Sequence, residues 1–303
     1  MTGSNDFRVT LLGTGTPIPR PDRFGPSTLI EAGDQKLIVD AGRGATIRLY
    51  QLGVPIGRID ALLLTHYHSD HIVGIPDLWL TGWLQSHFGR RTAPLHVIGP
   101  TGAQELMSNL ERAYALDIKI RIADEKIAPG GAAVVVEEFA ADGVVYDRNG
   151  VKVTAFEVDH GDVIKPAYGY RIDYGGRSAV LSGDTRYNEN VIKYGASADL
   201  LLHEVAIAPP DLMAEPYIQR IMDHHTTPRE AGIVFARTKP KLAAYTHLVF
   251  LASDRVAPAS MADLVSQTRT TYSGPLEVGE DLMSFEIGES VVMKRHSAVR
   301  TAS

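Results

Sequence analysis

The segment of the chain richest in potential chemistry is residues 66–71, where three histidines and an aspartate fall within six positions. Neutral imidazole and carboxylate groups are the usual ligands of zinc and other borderline divalent cations. His66 and His68 alternate along an extended backbone and therefore point to one side, whereas Asp70 and His71 follow after a turn. Ligands this close together predict a centre for two metal ions. The alternative is a polar loop in which the histidines occur by chance.

Apolar strands precede the candidate ligands. Residues 59–64 form an apolar run short enough for a buried strand, and the histidine motif follows it directly. Three later apolar runs also end in polar residues, at Asp184, at His203-Glu204 and at His247. Open α/β sheets bind ligands at the carboxyl ends of their strands. We therefore expect alternating strands and helices that bring these side chains to one shared site.

Composition and charge exclude several classes of protein. Hydrophobic residues make up 44% and charged residues 22% of the chain, which is ordinary for a soluble globular protein. Cysteine is absent, so any metal must be held by nitrogen and oxygen. The net charge of −6 offers no general attraction for nucleic-acid phosphates. No apolar stretch is long enough to span a membrane, and the polar N-terminus lacks a signal-peptide core. We therefore predict a cytoplasmic enzyme.

Taken together, these residues resemble the metallo-β-lactamase superfamily, whose hallmark is His-x-His-x-Asp-His after a strand. The chain is most similar to the branch that holds ribonuclease Z and the zinc-dependent arylsulfatases. Three segments carry this similarity: Leu11-Leu12-Gly13-Thr14-Gly15-Thr16-Pro17 with Arg23, His203-Glu204, and His225-Thr226-Thr227. The resemblance covers residues 7 to about 286. It implies an α/β fold, a four-layer αββα sandwich made by a single domain over residues 1–303, with residues 297–303 frayed.

The resemblance also implies which residues hold two divalent metal ions. His66, His68 and His160 would bind one ion, Asp70, His71 and His247 the other, and Asp184 would bridge them. Asp40 is expected to accept a hydrogen bond that orients a ligating imidazole, although it would also suit a simple turn. Zinc is the expected metal, and manganese, iron(II) or cobalt would fit the same donors.

The reaction implied by this site is hydrolysis. Two ions that share a hydroxide lower its pKa toward neutrality and polarise the bound electrophile, so no serine or cysteine nucleophile is required. Asp70 is expected to accept a proton from the attacking water as well as binding a metal. Glu204 and His225 resemble the pair that assists departure of the leaving group in ribonuclease Z, because a carboxylate keeps a neighbouring imidazole protonated.

The substrate prediction depends on a segment that the chain lacks. Ribonuclease Z usually grips tRNA with a long arm between its Gly-Tyr-Arg segment and its Gly-Asp-Thr motif, whereas residues 170–178 lead almost directly to the strand before Asp184. Trp79, Trp83 and Phe88 would suit an aromatic substrate, although a packed helix or a dimer face explains them equally well. We therefore predict a small-molecule substrate, an aromatic sulfate, phosphodiester or carboxylic ester, no nucleic-acid partner, and a homodimer as is common in the family.

Several alternatives stay open at this point. The first is a ribonuclease Z-like endonuclease that acts at the 3′ end of tRNA, which the missing arm disfavours. The second is displacement of another leaving group, such as a lactone oxygen or a ring halide, by the same hydroxide. A non-catalytic protein with this fold is disfavoured because all the expected ligands are present. A flavin- or iron-dependent oxidoreductase would usually add a flavodoxin-like domain. Residues 212–218, an apolar stretch before His225, are expected to form a lid or a subunit contact.

Overall fold

Two mixed β-sheets form the centre of the computed structural model, which describes residues 7–296. The predicted fraying of residues 297–303 and the polar N-terminal segment lie outside the described residues. The first sheet has eight strands, in the spatial order β15 (Val291–Arg295), β14 (Met283–Ile287), β1 (Phe7–Gly13), β2 (Ser27–Ala32), β3 (Gln35–Val39), β4 (Ala61–Leu63), β5 (Leu95–Pro100) and β6 (Val134–Phe139).

The second sheet has seven strands. Their spatial order is β13 (Leu276–Val278), β12 (Leu242–Phe250), β11 (Leu200–Ile207), β10 (Arg177–Leu181), β9 (Tyr168–Tyr174), β8 (Val151–Glu157) and β7 (Gly143–Arg148). Strands β10, β11, β12 and β13 run parallel to one another, so their carboxyl ends meet at one edge of the sheet.

Helices cover the outer face of each sheet. They are α1 (Ala45–Leu52), α2 (Ser69–Ile72), α3 (Ile75–Trp83), α4 (Ala103–Asp124), α5 (Glu189–Gly195), α6 (Pro216–Met222), α7 (Pro228–Thr238) and α8 (Met261–Arg269). Helices α1, α3 and α4 pack on the first sheet, and α5, α7 and α8 pack on the second. The predicted αββα sandwich is therefore confirmed. Within residues 7–296, no helix combines the length and the apolar character that crossing a membrane requires.

The buried strands read as continuous apolar runs because both of their faces are covered. In β4, Ala61 and Leu63 point into the core between the two sheets, whereas Leu62 points into the core between the first sheet and its helices. Every side chain of such a strand is buried, so polar residues can begin only beyond its carboxyl end. This is why the histidine motif starts immediately after it.

Candidate active site

The residues predicted to bind metal converge at one edge of the sandwich, between the two sheets. His66 and His68 follow β4, and both Asp70 and His71 lie on the short helix α2. Asp184 follows β10, and His247 lies within β12. The last residue of the predicted set, His160, lies in the loop between β8 and β9. All of these side chains except that of His68 are buried.

One carboxylate oxygen, Oδ2 of Asp184, lies at the centre of the cluster. The nearest imidazole nitrogens are Nε2 of His247 at 3.2 Å and Nε2 of His71 at 3.3 Å. The Nε2 atoms of His160 and His66 follow at 3.7 and 3.9 Å. This arrangement gives Asp184 access to both predicted ligand groups, as a bridging ligand would require.

Within residues 7–296, the potential ligand atoms form four overlapping compact sets. Two of these sets include His225, and the other two consist of predicted ligands alone. Among the described residues, the ligand atoms of His66, His68, His160 and Asp184 lie within 4.8 Å of one another, and so do those of Asp70, His71 and His247. Each set offers three or four nitrogen or oxygen donors, which is the number that divalent ions take from proteins in such sites. The two sets coincide with the ones implied by the family resemblance.

Buried nitrogen atoms without partners show that this cluster fits metal ions. Within residues 7–296, Nε2 of His66 and Nε2 of His71 are buried and accept or donate no hydrogen bond. A buried polar atom left unpaired costs free energy, and a cation at the centre would satisfy both. Burial holds the pKa of His66 well below its ordinary value and lowers that of His160 to about 4. Both rings are therefore neutral at pH 7, the form that binds a cation.

The outer nitrogens of the imidazoles are held by the surrounding protein. His71 Nδ1 lies 2.7 Å from Oδ2 of Asp40, and His160 Nδ1 lies 2.8 Å from the carbonyl oxygen of His224. Asp40 also accepts hydrogen bonds from the amide and the hydroxyl of Thr65, at 2.8 and 2.7 Å. Because the outer nitrogen donates to these acceptors, the inner nitrogen is the one that would offer its lone pair to a bound metal.

A carboxylate and an imidazole face each other beside the cluster. Oε2 of Glu204 lies 3.2 Å from Nδ1 of His225, and Oε1 accepts hydrogen bonds from the amides of Thr226 at 2.9 Å and Thr185 at 3.3 Å. Burial alone would lower the pKa of His225, but the negative charge of Glu204 more than compensates and raises it. The imidazole is thereby kept in a form that can donate a proton.

A cavity of about 220 Å³ opens beside these groups. Its floor includes His68, Asp70, Asp184 and His225, and its wall is apolar. The wall residues are Ile18, Tyr217, Ile221, Val249 and Leu251. This wall was not predicted from the sequence, apart from residues 212–218, which were expected to form a lid or a subunit contact. The alternation of Val249 and Leu251, where β12 ends, is the sequence signal that could have indicated it.

The two tryptophans belong to the core and not to the cavity. Trp79 and Trp83 are fully buried on α3, and their indole nitrogens donate to the carbonyl oxygens of Ala132 at 3.0 Å and Ala128 at 2.8 Å. Phe88 is half-buried and packs against Tyr50 of α1, with ring centroids 4.5 Å apart. The aromatic segment therefore stabilises the first helical layer, and it supplies no argument for an aromatic substrate.

Comparison with known proteins identifies the family. The family model described as "Beta-lactamase superfamily domain" matches residues 35–248. Ribonuclease Z of Mycobacterium marinum is 38% identical over 288 residues, which cover 93% of this chain and 99% of that protein. The human tRNase Z short form has the same fold, with a TM-score of 0.68 and 22% identity over 92% of this chain and 98% of that one. A metallo-beta-lactamase fold protein of Bacillus subtilis, YhfI, gives a TM-score of 0.70 and 21% identity over 92% and 98% of the two chains.

These relatives show that the predicted small aromatic ester is the wrong substrate, and that the exclusion of nucleic acid is wrong as well. The arm is indeed absent, since β9 and β10 are joined by a turn at Gly175 and Gly176. However, the absence of the arm does not distinguish a hydrolase of small esters from a ribonuclease Z. The aligned residues make up 99% of the Mycobacterium marinum protein, so that ribonuclease Z has no room for a long arm either.

The net charge of −6 does not exclude binding of nucleic acid. A net charge averages over the whole surface, whereas a binding groove depends on the local distribution of charge. Arg20, Arg23 and Arg43 line one groove at the loop between β1 and β2, and Pro17 of that loop also lines the cavity at the metal cluster. The chain belongs to the beta-lactamase superfamily, in its ribonuclease Z family, and is a metal-dependent hydrolase.

Proposed function

We propose that this protein is an endoribonuclease of the ribonuclease Z type, which hydrolyses a phosphodiester bond of precursor tRNA. The observation that carries the proposal is the 38% identity to a ribonuclease Z over 99% of that protein's length. The geometry supports it, because the described residues combine two sets of metal donors with the Glu204–His225 pair, and His225 lines the same cavity as His68, Asp70 and Asp184.

Seven residues would hold two divalent ions, with zinc the expected metal. They are His66, His68, Asp70, His71, His160, Asp184 and His247. When bound, such ions supply Lewis-acid activation of the phosphodiester and of the attacking water. The neutral state of His66 and His160 supports these assignments, as does the absence of a partner for the inner nitrogens of His66 and His71.

The proton transfers fall to the protein's own side chains. Asp70 lines the cavity floor and would accept the proton released by the attacking water. His225 also lines the cavity, and with Nδ1 only 3.2 Å from Oε2 of Glu204, the other ring nitrogen, Nε2, would donate a proton to the departing oxygen. Glu204 would act by keeping His225 charged and oriented. Its own carboxylate is fixed by two backbone amides.

The test is cleavage of a precursor tRNA that carries a 3′ trailer, with the metal content of the purified protein measured in parallel. We expect endonucleolytic release of the trailer by the wild type. Asp184→Ala should abolish it, and His87→Ala, which changes an exposed histidine outside the metal cluster, should leave it intact. A fully metal-loaded wild type that cleaves neither precursor tRNA nor any other structured RNA would contradict the proposal.

The homodimer is part of the same proposal. Ile47 and Tyr50 of α1 are exposed, and Phe88 beside them is half-buried, so this face offers apolar contact area outside the cavity. Sedimentation equilibrium at micromolar concentration tests it. A mass of one chain throughout would contradict the dimer without affecting the proposed reaction.

A further inference from the structure

The apolar wall of the active-site cavity contains two large side chains that are mostly exposed to solvent. Tyr217 on α6 is 65% exposed, and Ile18 in the loop after β1 is 66% exposed. Single exposed apolar residues are ordinary on protein surfaces, but several that line one concave site mark a binding surface. Ile221, Val249 and Leu251 continue the wall.

The charges around the cavity restrict which chemical groups can bind against this wall. Among the described residues, no lysine or arginine lines the cavity. Its ionisable groups are Tyr217, the histidines and aspartates of the metal cluster, and His224 and His225. Arg20, Arg23 and Arg43 line a separate groove, and Arg220 of α6 is exposed but does not line this cavity. A phosphate group would find no cationic partner on the apolar wall. A flat, uncharged group would bury apolar surface there instead.

The cavity's size and the proposed substrate further restrict which part of the substrate can bind there. Its volume of about 220 Å³ lies below the range for pockets that enclose a drug-sized ligand. In RNA, the flat uncharged group is the nucleobase, and proteins hold unpaired bases by stacking them on aromatic side chains. Among the described residues that line this cavity, Tyr217 is the one with a phenyl, phenol or indole ring, and the imidazoles of His68, His225 and His247 belong to the metal cluster and the proton-transfer pair.

We infer that Tyr217 stacks on the base of a nucleotide next to the scissile phosphodiester and is a specificity-determining residue of this enzyme. The inference rests on the proposed ribonuclease function. It makes the cavity a subsite for a single unpaired base, and it gives α6 the function of presenting the stacking ring. Tyr217 acts on the substrate by binding it and takes no part in proton transfer.

The test is a double-mutant cycle, in which the Tyr217 side chain and the RNA base are removed separately and together. Precursor RNAs that lack the base on either side of the cleavage site, one at a time, are compared with the intact RNA. For the wild type, removing one of the two bases should lower kcat/KM about tenfold. Tyr217→Ala should show the same loss on intact RNA and no further loss on that abasic RNA. Tyr217→Phe should behave as the wild type, because it keeps the ring.

Tyr114→Ala provides the matched control, because this exposed tyrosine lies on α4 and does not line the cavity. Equal metal content and melting temperature show that the variants are folded. If Tyr217→Ala cleaves intact RNA as well as the wild type, or stays as sensitive as the wild type to both abasic RNAs, the inference is wrong and the proposed function stands. If the wild type cleaves no RNA, both are overturned.

Discussion

Arg48 and Asp281 form a buried ion pair that joins two distant parts of the chain. Nη2 of Arg48 lies 2.9 Å from Oδ2 of Asp281, and the two side chains are 9% and 4% exposed. The same carboxylate accepts hydrogen bonds from the backbone amide of Thr14 at 2.9 Å and from that of Phe24 at 2.7 Å. Asp281 therefore fixes both ends of the loop between β1 and β2, which forms one side of the active-site cavity. Through Arg48, it also links that loop to α1.

We predict that Asp281→Ala destabilises the protein by about 3–5 kcal/mol, because it leaves the buried Arg48 guanidinium without its counter-charge. Urea unfolding followed by circular dichroism measures this. The adjacent Glu280→Ala is the matched control, since the Glu280 side chain is 54% exposed and should change stability by less than about 0.5 kcal/mol. Equal unfolding midpoints for the two variants would show that the pair contributes nothing beyond an ordinary surface contact.

Metal removal should lower the melting temperature substantially. A ligand that binds only the folded state stabilises it by about 4 kcal/mol at a thousandfold excess over its Kd, which corresponds to a shift of roughly 10 °C. We expect this shift when a chelator is added to the wild type, and little shift for Asp184→Ala. His96→Gln should retain the full shift, because His96 is a buried histidine that faces Glu137 away from the cluster. No response of the wild type to the chelator would count against a resident metal.

The convergence of the candidate ligands was predictable because most of them lie in short motifs that follow buried strands. A short apolar run in the sequence predicts a buried strand, and the end of that run predicts where the chain reaches the edge of the sheet. His66 and Asp184 each come shortly after such a strand. Trp79 and Trp83 show where local pattern is ambiguous. Their spacing of four residues puts them on one helix face, which suits a core as well as a cavity wall, and only packing against the adjoining loop distinguishes the two.

Other features could not be predicted because they depend on how distant segments pack together. The cavity wall brings together Ile18, Tyr217 and Val249 from three separate segments, and none of these segments has a periodicity that indicates a site. The Arg48–Asp281 pair spans 233 residues and depends on β14 pairing with β1. The substrate prediction failed for a different reason. It took an absent arm as evidence about the substrate, although relatives named ribonuclease Z lack room for that arm too.

Asp40→Asn should weaken metal binding about 10- to 100-fold. The amide can keep one oxygen as an acceptor for the Thr65 amide, but its NH₂ group would then face Nδ1 of His71 and the Thr65 hydroxyl. The His71 ring loses the acceptor that fixes its orientation. Competition with a chromogenic chelator measures the affinity. The control is Asp60→Asn. The Asp60 carboxylate accepts a hydrogen bond from the Lys36 amide, and it lies before β4, at the end of that strand opposite to the metal cluster. Equal affinities for the two variants would contradict the assigned role of Asp40.

The Glu204–His225 pair should act as one unit in catalysis. His225→Ala should lower kcat on precursor tRNA about 10²- to 10⁴-fold, because the departing oxygen loses its proton donor. Glu204→Gln keeps an oxygen to accept from the Thr226 and Thr185 amides but removes the charge beside Nδ1, so we expect a smaller loss, of about tenfold.

Metal content must be equal in these variants, since His225 also lies near Asp184 and His247. The decisive measurement is the double variant. If Glu204 acts only through His225, Glu204→Gln should cost nothing further once His225 is alanine. Losses that multiply in the double variant would instead assign Glu204 an effect of its own, exerted through the backbone amides that it fixes. Loss of metal in His225→Ala would make His225 a ligand and not a proton donor.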